Sequence, residues 1–308
     1  MAPEPSGPAG AGELGAPGPM AAWLFVALQR LLPQHLLSRL IHRLARSRSP
    51  WLKNALTRAF VRAFRPVLAD AVEPDPLRYA CFNDFFTRAL RAGTRPLDSA
   101  PDALLCPVDG TVSQIGHIRS GQLLQAKGRH YALEALLGEA GAAARFAGGA
   151  FATLYLAPYN YHRIHMPLAG VLQAAWYVPG RLFSVNALTA AACANLFARN
   201  ERVVCLFETS ARTPFAMVLV GALFVGSIAT CWHGDVTPRA GPRRSAPLDL
   251  GLPAPLVALG RGAEMGRFNM GSTVILLFPP GTVAWQPELH AGARVQVGQR
   301  LGRWLASP

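Results

Sequence analysis

Three short segments of the sequence hold most of the side chains that could act as acids, bases or nucleophiles. Asp109 lies in a Pro-Val-Asp-Gly segment, His162 and His165 lie in Tyr-His-Arg-Ile-His-Met-Pro, and Ser272 follows Gly271 in Phe-Asn-Met-Gly-Ser-Thr. An acid that orients an imidazole, which in turn takes the proton of a hydroxyl, makes a base-activated nucleophile. The residue types therefore indicate nucleophilic chemistry at Ser272, although Asp, His and Ser can be picked from almost any chain of this length.

Each segment also has a purely structural interpretation. Asp-Gly before a strand is typical of a turn, and Gly-Ser before Val-Ile-Leu-Leu-Phe is typical of a turn that enters a buried strand. His162 and His165 lie three positions apart on an extended segment, so their side chains face opposite sides and a shared metal site is disfavoured. The cysteines form no CxxC pair and have no histidine at metal-ligand spacing; they are Cys81, Cys106, Cys193, Cys205 and Cys231. The sequence predicts no metal centre and a reducing compartment such as the cytoplasm.

The elements that must position these side chains change in type along the chain. From residue 106 onward, β-branched and aromatic stretches alternate with Gly and Pro turns, which predicts short strands. Helices are predicted at residues 51–64, at 82–90 with Asn83 as the N-cap, at 133–137 and at 186–198. We therefore predict an α+β fold with a mainly antiparallel, β-sandwich-like core and N-terminal amphipathic helices. Residues 71–308 form the predicted catalytic domain.

The N-terminal part of the chain differs from the rest in charge. The formal net charge is +13, yet residues 14–69 contain nine Lys or Arg and no Asp or Glu. Leucines such as Leu36, Leu40 and Leu44 recur there with helical spacing. The combination favours an anionic membrane surface over nucleic acid as the partner of residues 20–70, and the longest apolar run is too short to span a bilayer. The alternative is that these helices simply cover the core.

The first nineteen residues are mostly Pro, Gly and Ala and lack the cationic start of a secretory signal. We predict a disordered tail at residues 1–19. Met20 is an alternative start that the sequence alone does not decide.

Several long segments, in order, resemble the phosphatidylserine decarboxylase family in its compact bacterial form. The similarity runs from about residue 23 to residue 305. It is carried by FNDFFTRALRAGTRPLD, CPVDGTVSQIG, LLQAKGRHYALEALLG, TLYLAPYNYHRIHMPLAG, YVPGRLFSVN, LFARNERVVCLFET and GAEMGRFNMGSTVILLFPPG.

The resemblance implies that the chain is a precursor that cuts its own Gly271–Ser272 bond. The products would be a β chain of residues 1–271 and an α chain of residues 272–308, held together as a heterodimer, with further dimerisation left open. Ser272 would become a covalent pyruvoyl cofactor. Met270 stands where bacterial relatives usually have leucine, and this near-isosteric change is not expected to affect cleavage.

The resemblance also implies roles for the candidate residues. Asp109 would orient His165, which would take the proton of the Ser272 hydroxyl so that its oxygen attacks the Gly271 carbonyl. His162 would have an acid–base or positioning role in decarboxylation.

The mature enzyme would form a Schiff base between the pyruvoyl group and the amine of phosphatidylserine, and would release carbon dioxide and phosphatidylethanolamine. The backbone around Ser184 and Val185 would supply donors to the substrate phosphate. The protein would lie peripherally on the cytoplasmic side of the cell membrane, in contact with anionic phospholipid.

Three other functions stay open at the level of the sequence. Ser272 could serve a hydrolase triad in an uncut chain. The protein could be a lipid-binding module without enzymatic activity, in which Asp109, His165 and Ser272 are only turn and core residues. A pyruvoyl enzyme for a soluble amino acid would share the cleavage but would not need residues 20–50.

Overall fold

The computed structural model describes residues 19–223, 227–238, 245–248 and 257–305. Nearly all of the predicted tail at residues 1–19 lies outside them. The helices are α1 (Pro19–Leu31), α2 (Gln34–Ala45), α3 (Pro50–Phe64), α4 (Phe82–Phe86), α5 (Leu133–Leu137), α6 (Ala140–Ala143), α7 (Ala187–Ala192) and α8 (Leu196–Arg199), with a 3₁₀ turn at Ala144–Phe146.

The strands are short and antiparallel wherever they pair. They are β1 (Ala103–Leu105), β2 (Gly110–His117), β3 (Gln122–Ala126), β4 (Arg129–Ala132), β5 (Ala150–Tyr155), β6 (Arg163–His165), β7 (Gly170–Val178), β8 (Arg202–Glu208), β9 (Pro214–Val220), β10 (Ile228–Thr230), β11 (Gly234–Asp235), β12 (Ala246–Pro247), β13 (Ala258–Leu259), β14 (Glu264–Phe268), β15 (Thr273–Phe278), β16 (Val283–Trp285), β17 (Arg294–Val295) and β18 (Arg300–Trp304).

One sheet dominates the described residues. Its strands follow the order β12-β7-β8-β9-β15-β5-β2-β17, and β13 also pairs with β7. Smaller sheets have the orders β11-β10-β14-β6, β1-β18-β16 and β3-β4. The predicted α+β fold with a mainly antiparallel core is confirmed.

The large sheet is buried on both faces, which explains why its strands read as nearly continuous apolar runs. Along β8, Val203 and Cys205 belong to one core cluster, whereas Val204 and Leu206 belong to another. Because neighbouring side chains of a strand point to opposite faces, the two clusters are the two faces of the sheet. The first face packs on the smaller sheets that contain β6, β14 and β18. The second packs on α5, α7, α8 and Val26 of α1.

Strand β15 lies inside this sheet. It pairs with β5 along its whole length and with β9 over most of it, from Thr273↔Tyr155 to Phe278↔Ala150 on one side and from Thr273↔Val220 to Leu277↔Ala216 on the other. All of its residues are buried. Ser272 lies one residue before β15, so the pairing of this central strand on both sides fixes where Ser272 lies in the structure.

Helices α1 and α2 dock on the core through two buried amides. The side-chain oxygen of Gln29 accepts a hydrogen bond from the Ser184 N–H (2.7 Å), and that of Gln34 accepts one from the Leu182 N–H (2.9 Å). Both glutamines are almost completely buried. They satisfy backbone donors that would otherwise be buried without a partner, at a cost of about 1–3 kcal/mol each.

The other faces of α1, α2 and α3 carry most of the large apolar side chains that are exposed in the described residues. They are Met20, Trp23, Leu24, Phe25, Leu28, Leu31, Leu36, Leu40, Leu44, Trp51 and Phe64. Exposed apolar side chains in this number are typical of an interaction surface. Among the helices that the structure describes, none combines the length and the apolar composition needed to cross a bilayer.

The predicted helices at residues 51–64 and 133–137 are confirmed by α3 and α5. The helix predicted at 186–198 is instead two short helices, α7 and α8, because the chain extends at Cys193 and turns into the left-handed region at Asn195. The prediction of Asn83 as an N-cap is wrong. Cys81 precedes α4, and Asn83 lies inside it with its side chain bonded to Asn269 at 3.1 Å.

Candidate active site

The segment between β14 and β15 carries the predicted nucleophile. Ser272 is completely buried, and its Oγ has no hydrogen-bond partner among the described residues. Its carbonyl accepts a hydrogen bond from the Leu156 N–H at 2.9 Å, which extends the β5 pairing by one residue. Other buried hydroxyls, such as those of Thr153 and Thr273, also have no partner among the described residues, so it is the position of Ser272 after Gly271 that makes it a candidate nucleophile.

The backbone immediately before Ser272 is strained. Met270 has a φ of 138°, a value that L-residues rarely adopt. Such a conformation costs about 1–3 kcal/mol and persists only where the surroundings impose it. At Gly271, an added Cβ would lie 3.4 Å from the Leu156 carbonyl oxygen and 3.5 Å from His162 Nε2. The Gly271–Ser272 bond thus follows a strained residue and lies close to an imidazole.

His162 is the titratable side chain that approaches this bond. It is completely buried, and its ring contacts the ring of Phe86 at 4.2 Å between centroids. Its Nδ1 lies 2.8 Å from the Asn160 carbonyl oxygen. Because a carbonyl can only accept, Nδ1 carries the proton and Nε2 presents a lone pair. Among the described residues, Nε2 has no hydrogen-bond partner.

The electrostatic surroundings keep His162 neutral. Burial, opposed by the hydrogen bond to the Asn160 carbonyl and assisted by the charge of Arg88, lowers the pKa of His162 to about 3. Arg88 is itself buried, and its Nε and Nη1 have no partner among the described residues. Its Nη2 donates weakly to the Tyr159 carbonyl oxygen at 3.3 Å. The imidazole is therefore unprotonated at neutral pH, beside a buried positive charge.

His165 lies three residues further on, in β6, and its ring is already bonded on both sides. Its Nδ1 donates to the Gly262 carbonyl oxygen at 2.8 Å, and its Nε2 accepts from the Tyr161 hydroxyl at 3.0 Å. Burial raises the pKa of Tyr161 to about 12, so this hydroxyl stays protonated and can donate. Burial also lowers the pKa of His165 below its ordinary value.

Asp109 lies next to β6 in space. The His165 N–H donates to the Pro107 carbonyl oxygen at 2.8 Å, which brings the turn containing Asp109 alongside the strand. The carboxylate itself is held by Arg95, with Nε at 3.0 Å from both oxygens and Nη2 at 2.7 Å from Oδ2. It also accepts from the Val297 N–H at 2.9 Å.

The structure therefore brings the predicted catalytic residues together in two pairs. His162 and Ser272 flank Gly271, and Asp109 and His165 occupy adjacent segments. In the described ranges, no hydrogen bond joins Asp109 to His165 or His165 to Ser272. The triad of these three residues stays a prediction.

Ser184 and Val185 lie at the same site. They line a cavity of about 210 Å³ together with Phe60, Phe64, Phe86, Tyr155, Leu156, Pro158, Ala222, Leu223, Met270 and Gly271. The lining is mostly apolar and includes two aromatic rings of α3. The backbone donors predicted to bind phosphate are in part occupied, because the Phe183 N–H donates to Asn200 Oδ1 at 3.0 Å and the Ser184 N–H to Gln29.

Sequence reasoning missed the residues that hold or tune the candidates. Arg95, Tyr161 and Arg88 are such residues. Tyr161 contacts His165 four positions along the chain, whereas Arg95 contacts Asp109 and Arg88 contacts Tyr159 over longer separations. The signal for Arg88 was present, because an arginine that follows an aromatic run such as Phe-Asn-Asp-Phe-Phe is a candidate for burial. Within the described ranges, no group of three or more His, Cys, Asp or Glu is arranged to hold a metal ion.

Comparisons with known proteins give a consistent result. A family model described as phosphatidylserine decarboxylase matches residues 82–303, and a second model, described as PSD, matches residues 24–65. Curated relatives are called phosphatidylserine decarboxylase proenzyme. The protein of Ectopseudomonas mendocina is 54% identical over 280 residues, which cover 91% of this chain and 97% of that protein.

Two further relatives with the same name are similar over nearly their whole length. The protein of Methylococcus capsulatus is 51% identical over 280 residues, which cover 91% of this chain and 96% of the relative. That of Bordetella pertussis is 52% identical over 284 residues, which cover 92% of this chain and 95% of the relative.

Proposed function

Since the chain belongs to the phosphatidylserine decarboxylase family, we propose that it converts phosphatidylserine to phosphatidylethanolamine and carbon dioxide, using a pyruvoyl group that it makes from its own Ser272. The relatives' name, proenzyme, supports a processing step. The observation that carries the proposal is the position of Ser272, which is buried directly after Gly271 and the strained Met270, where His162 Nε2 lies close to Gly271.

The processing step begins with attack by Ser272 Oγ on the carbonyl carbon of Gly271. The proton of the hydroxyl passes to a base and then to the leaving nitrogen as the C–N bond breaks, and an ester forms between Gly271 and the serine oxygen. β-Elimination then removes the α-proton of residue 272 to a base and breaks the Cβ–O bond, so that the serine oxygen leaves in the Gly271 carboxylate and dehydroalanine remains at position 272. Addition of water and loss of ammonia convert this residue to pyruvoyl.

The residues present fit such a group. Ser272 lies in a water-excluded position, the glycine before it leaves its carbonyl approachable, and the cavity beside Gly271 gives a substrate access to the new terminus. Once formed, the pyruvoyl ketone supplies the electron sink for loss of carbon dioxide. The protein must then hold the substrate, exclude water and provide a proton.

Two histidines are candidates for the base in the processing step. We retain the assignment to His165, oriented by Asp109. For this role the Tyr161 hydroxyl must release His165 Nε2, and Asp109, which Arg95 holds, must replace the Gly262 carbonyl at Nδ1. His162 Nε2 already lies against Gly271, which supports its role in holding or moving a proton at the reaction centre. Comparison of His165→Ala with His162→Ala separates the roles. Loss of cleavage only in His165→Ala supports the assignment, and the reverse result gives the base role to His162.

The substrate also needs a partner for its negative charges. Buried Arg88 lies close enough to His162 to influence its pKa and has two guanidinium nitrogens without a partner in the described residues. We assign it to the phosphate or carboxylate of the head group.

The exposed apolar faces of α1, α2 and α3, together with the basic residues of these helices, would hold the protein on an anionic bilayer while α3 lines the cavity.

The test is the intact mass of the purified protein under denaturing conditions, beside that of Ser272→Ala. The expected result is two chains divided after Gly271. The mass of the small chain should be lower by one ammonia than the mass calculated for residues 272–308 with an unmodified serine. Ser272→Ala should remain one chain. Turnover of phosphatidylserine in vesicles by the cut protein, and none by the mutant, would complete the case.

A single uncut chain from well-folded wild-type protein would overturn the proposal. If a covalent serine probe then labelled that chain at Ser272, a hydrolase would be the better explanation. Absence of labelling and of turnover would favour a lipid-binding module. Cleavage with decarboxylation of a soluble amino acid, but not of phosphatidylserine, would retain the processing chemistry and replace the substrate.

A further inference from the structure

The carboxylate of Asp235 connects two parts of the molecule that are distant in sequence. Its Oδ2 accepts a hydrogen bond from Arg46 Nη2 at 2.8 Å and lies 3.4 Å from His42 Nε2. Arg46 follows α2 directly, and His42 is in its last turn. The other oxygen of Asp235, Oδ1, accepts hydrogen bonds from Ser227 Oγ at 2.9 Å and from Asn269 Nδ2 at 3.2 Å. One oxygen therefore faces α2, and the other faces the segment that leads to Ser272.

Asn269 is held from several directions. Its Nδ2 also donates to Ser227 Oγ at 2.6 Å, its N–H donates to the Ser227 carbonyl oxygen at 2.8 Å, and its Oδ1 accepts from Asn83 Nδ2 at 3.1 Å. The residue is almost completely buried. Met270 follows directly and has a φ of 138°, so the bonds that hold Asn269 oppose relaxation of the strained backbone.

The charges around Asp235 favour an ionised carboxylate. Partial burial acts in the opposite direction, but the hydrogen bond from His42 and the charge of Arg46 lower the pKa of Asp235 below its ordinary value. A hydrogen bond to a charged acceptor is about twice as strong as one between neutral groups. The link from α2 to Asn269 is therefore made of charge-assisted bonds at neutral pH.

We propose that Asp235 is a positioning residue that ties the end of helix α2 to Asn269, and thereby holds the Gly271–Ser272 bond in the geometry needed for self-cleavage. The inference rests on the proposed self-processing and adds a residue that the chemistry itself does not identify. It also makes the docking of α2 part of the processing apparatus. Asp235 touches none of the reacting atoms, so it acts only through Asn269.

A purely structural role is the competing explanation, since exposed ion pairs contribute little. The side chains of Arg46 and Asp235 are 31% and 42% exposed, and pairs of this kind typically stabilise a protein by at most about 1 kcal/mol. A structural role predicts a change in thermal stability with an unchanged cleavage rate among folded molecules. The positioning role predicts a slower cleavage at nearly constant stability.

The experiment follows the decay of full-length precursor into two chains after a pulse of cell-free synthesis. Asp235→Ala removes both contacts, whereas Asp235→Asn keeps an acceptor for Asn269 and loses the one for Arg46. Arg46→Met removes the partner on the α2 side. Arg43→Met is the matched control, because Arg43 also carries a charge at the end of α2 but makes no described contact with Asp235.

Asp235→Ala is expected to slow cleavage about tenfold, since a hydrogen bond to a charged group is worth at least that factor. Asp235→Asn and Arg46→Met should each slow it about threefold, and the double variant should be no slower than either single one because both cut the same link. Arg43→Met should cleave at the wild-type rate. Thermal unfolding, measured in each variant with Ser272→Ala added, should stay close to that of Ser272→Ala alone.

Wild-type cleavage in Asp235→Ala would overturn the inference, as would additive effects of Asp235→Asn and Arg46→Met or an equal effect of Arg43→Met. If Asp235→Ala fails to fold, the cleavage rates of Asp235→Asn, Arg46→Met and their combination still distinguish the positioning role from a structural role. A wild-type chain that never cleaves contradicts the proposed function instead, so the two failures are distinguishable.

Discussion

The burial of a neutral histidine beside the Gly271–Ser272 bond should make the single-chain protein sensitive to acid. We compare Ser272→Ala with Ser272→Ala/His162→Gln, so that both proteins remain single chains. The burial-dominated shift lowers the pKa of His162 from 6.5 to about 3 in the folded state. Glutamine does not titrate and retains a donor for the Asn160 carbonyl.

The sign and size follow from proton linkage. Between pH 6.5 and about 3 the unfolded chain binds a proton at His162 and the folded chain does not, so acid favours unfolding. The contribution of His162 to the free energy of unfolding is fully present above pH 6.5 and falls by about 1.4 kcal/mol for each pH unit below that value. From pH 7 to pH 5, the Ser272→Ala protein should therefore lose about 2 kcal/mol more free energy of unfolding than the double variant.

The assay is urea unfolding of both proteins at pH 7 and at pH 5, followed by tryptophan fluorescence. All other titrating groups are common to the two proteins, so their effects cancel in the difference. Equal losses in the two proteins would refute the reasoning, because His162 would then be protonated in the folded state or accessible to water.

Other outcomes are expected at the same site and on the exposed apolar face of α1–α3. Gly271→Val should block cleavage, whereas Gly271→Ala should fold and be cut more slowly, because its Cβ just fits against the surrounding atoms at 3.4 and 3.5 Å; intact mass distinguishes them. Arg95→Met should destabilise the protein by about 3 kcal/mol in thermal unfolding, because Asp109 would stay buried without its partner. Leu31→Ser should weaken sedimentation with anionic vesicles, while Leu97→Ser, a control at an exposed leucine outside α1–α3, should not; equal binding by both would contradict the proposed membrane contact of α1–α3.

The elements of the core could be predicted because local pattern and tertiary environment agree there. Val-Ile-Leu-Leu-Phe after Gly-Ser became β15, a strand buried on both faces, and the Ala-Leu-rich segment at 133–137 became α5. The roles of Asp109, His162, His165 and Ser272 follow from the resemblance to the family, since isolated polar residues carry no periodic signal.

The connections among those residues could not be predicted. Arg95 pairs with Asp109 and Arg46 with Asp235, and the second pair is separated by 189 positions in the chain. Such contacts depend on how sheets and helices pack, which the sequence does not state locally. The protonation of His162 and His165 could not be predicted either. In each ring, the carbonyl oxygen beside Nδ1 determines that Nδ1 carries the proton and that Nε2 has the lone pair.

The division of the chain into a membrane-associating part at residues 20–70 and a catalytic domain at 71–308 stays a prediction. Two glutamines among the apolar residues of the N-terminal helices indicate that residues 20–70 also contact the core. Gln29 and Gln34 bind the backbone at residues 182–184, close to the cavity, and α3 lines that cavity. Removal of residues 20–50 would therefore disturb the site, and single substitutions on the exposed face are the cleaner test of membrane binding.

The central position of β15 has a consequence for the lifetime of the enzyme. A cut at Gly271–Ser272 would leave this strand paired on both sides, so the two chains could separate only by opening the middle of the sheet. The precursor folds as one chain, whereas the cut protein would have to reassemble from two, at a rate that depends on concentration. Unfolding of the mature enzyme would then be effectively irreversible in dilute solution, and its durability would be set by the height of the unfolding barrier rather than by equilibrium stability.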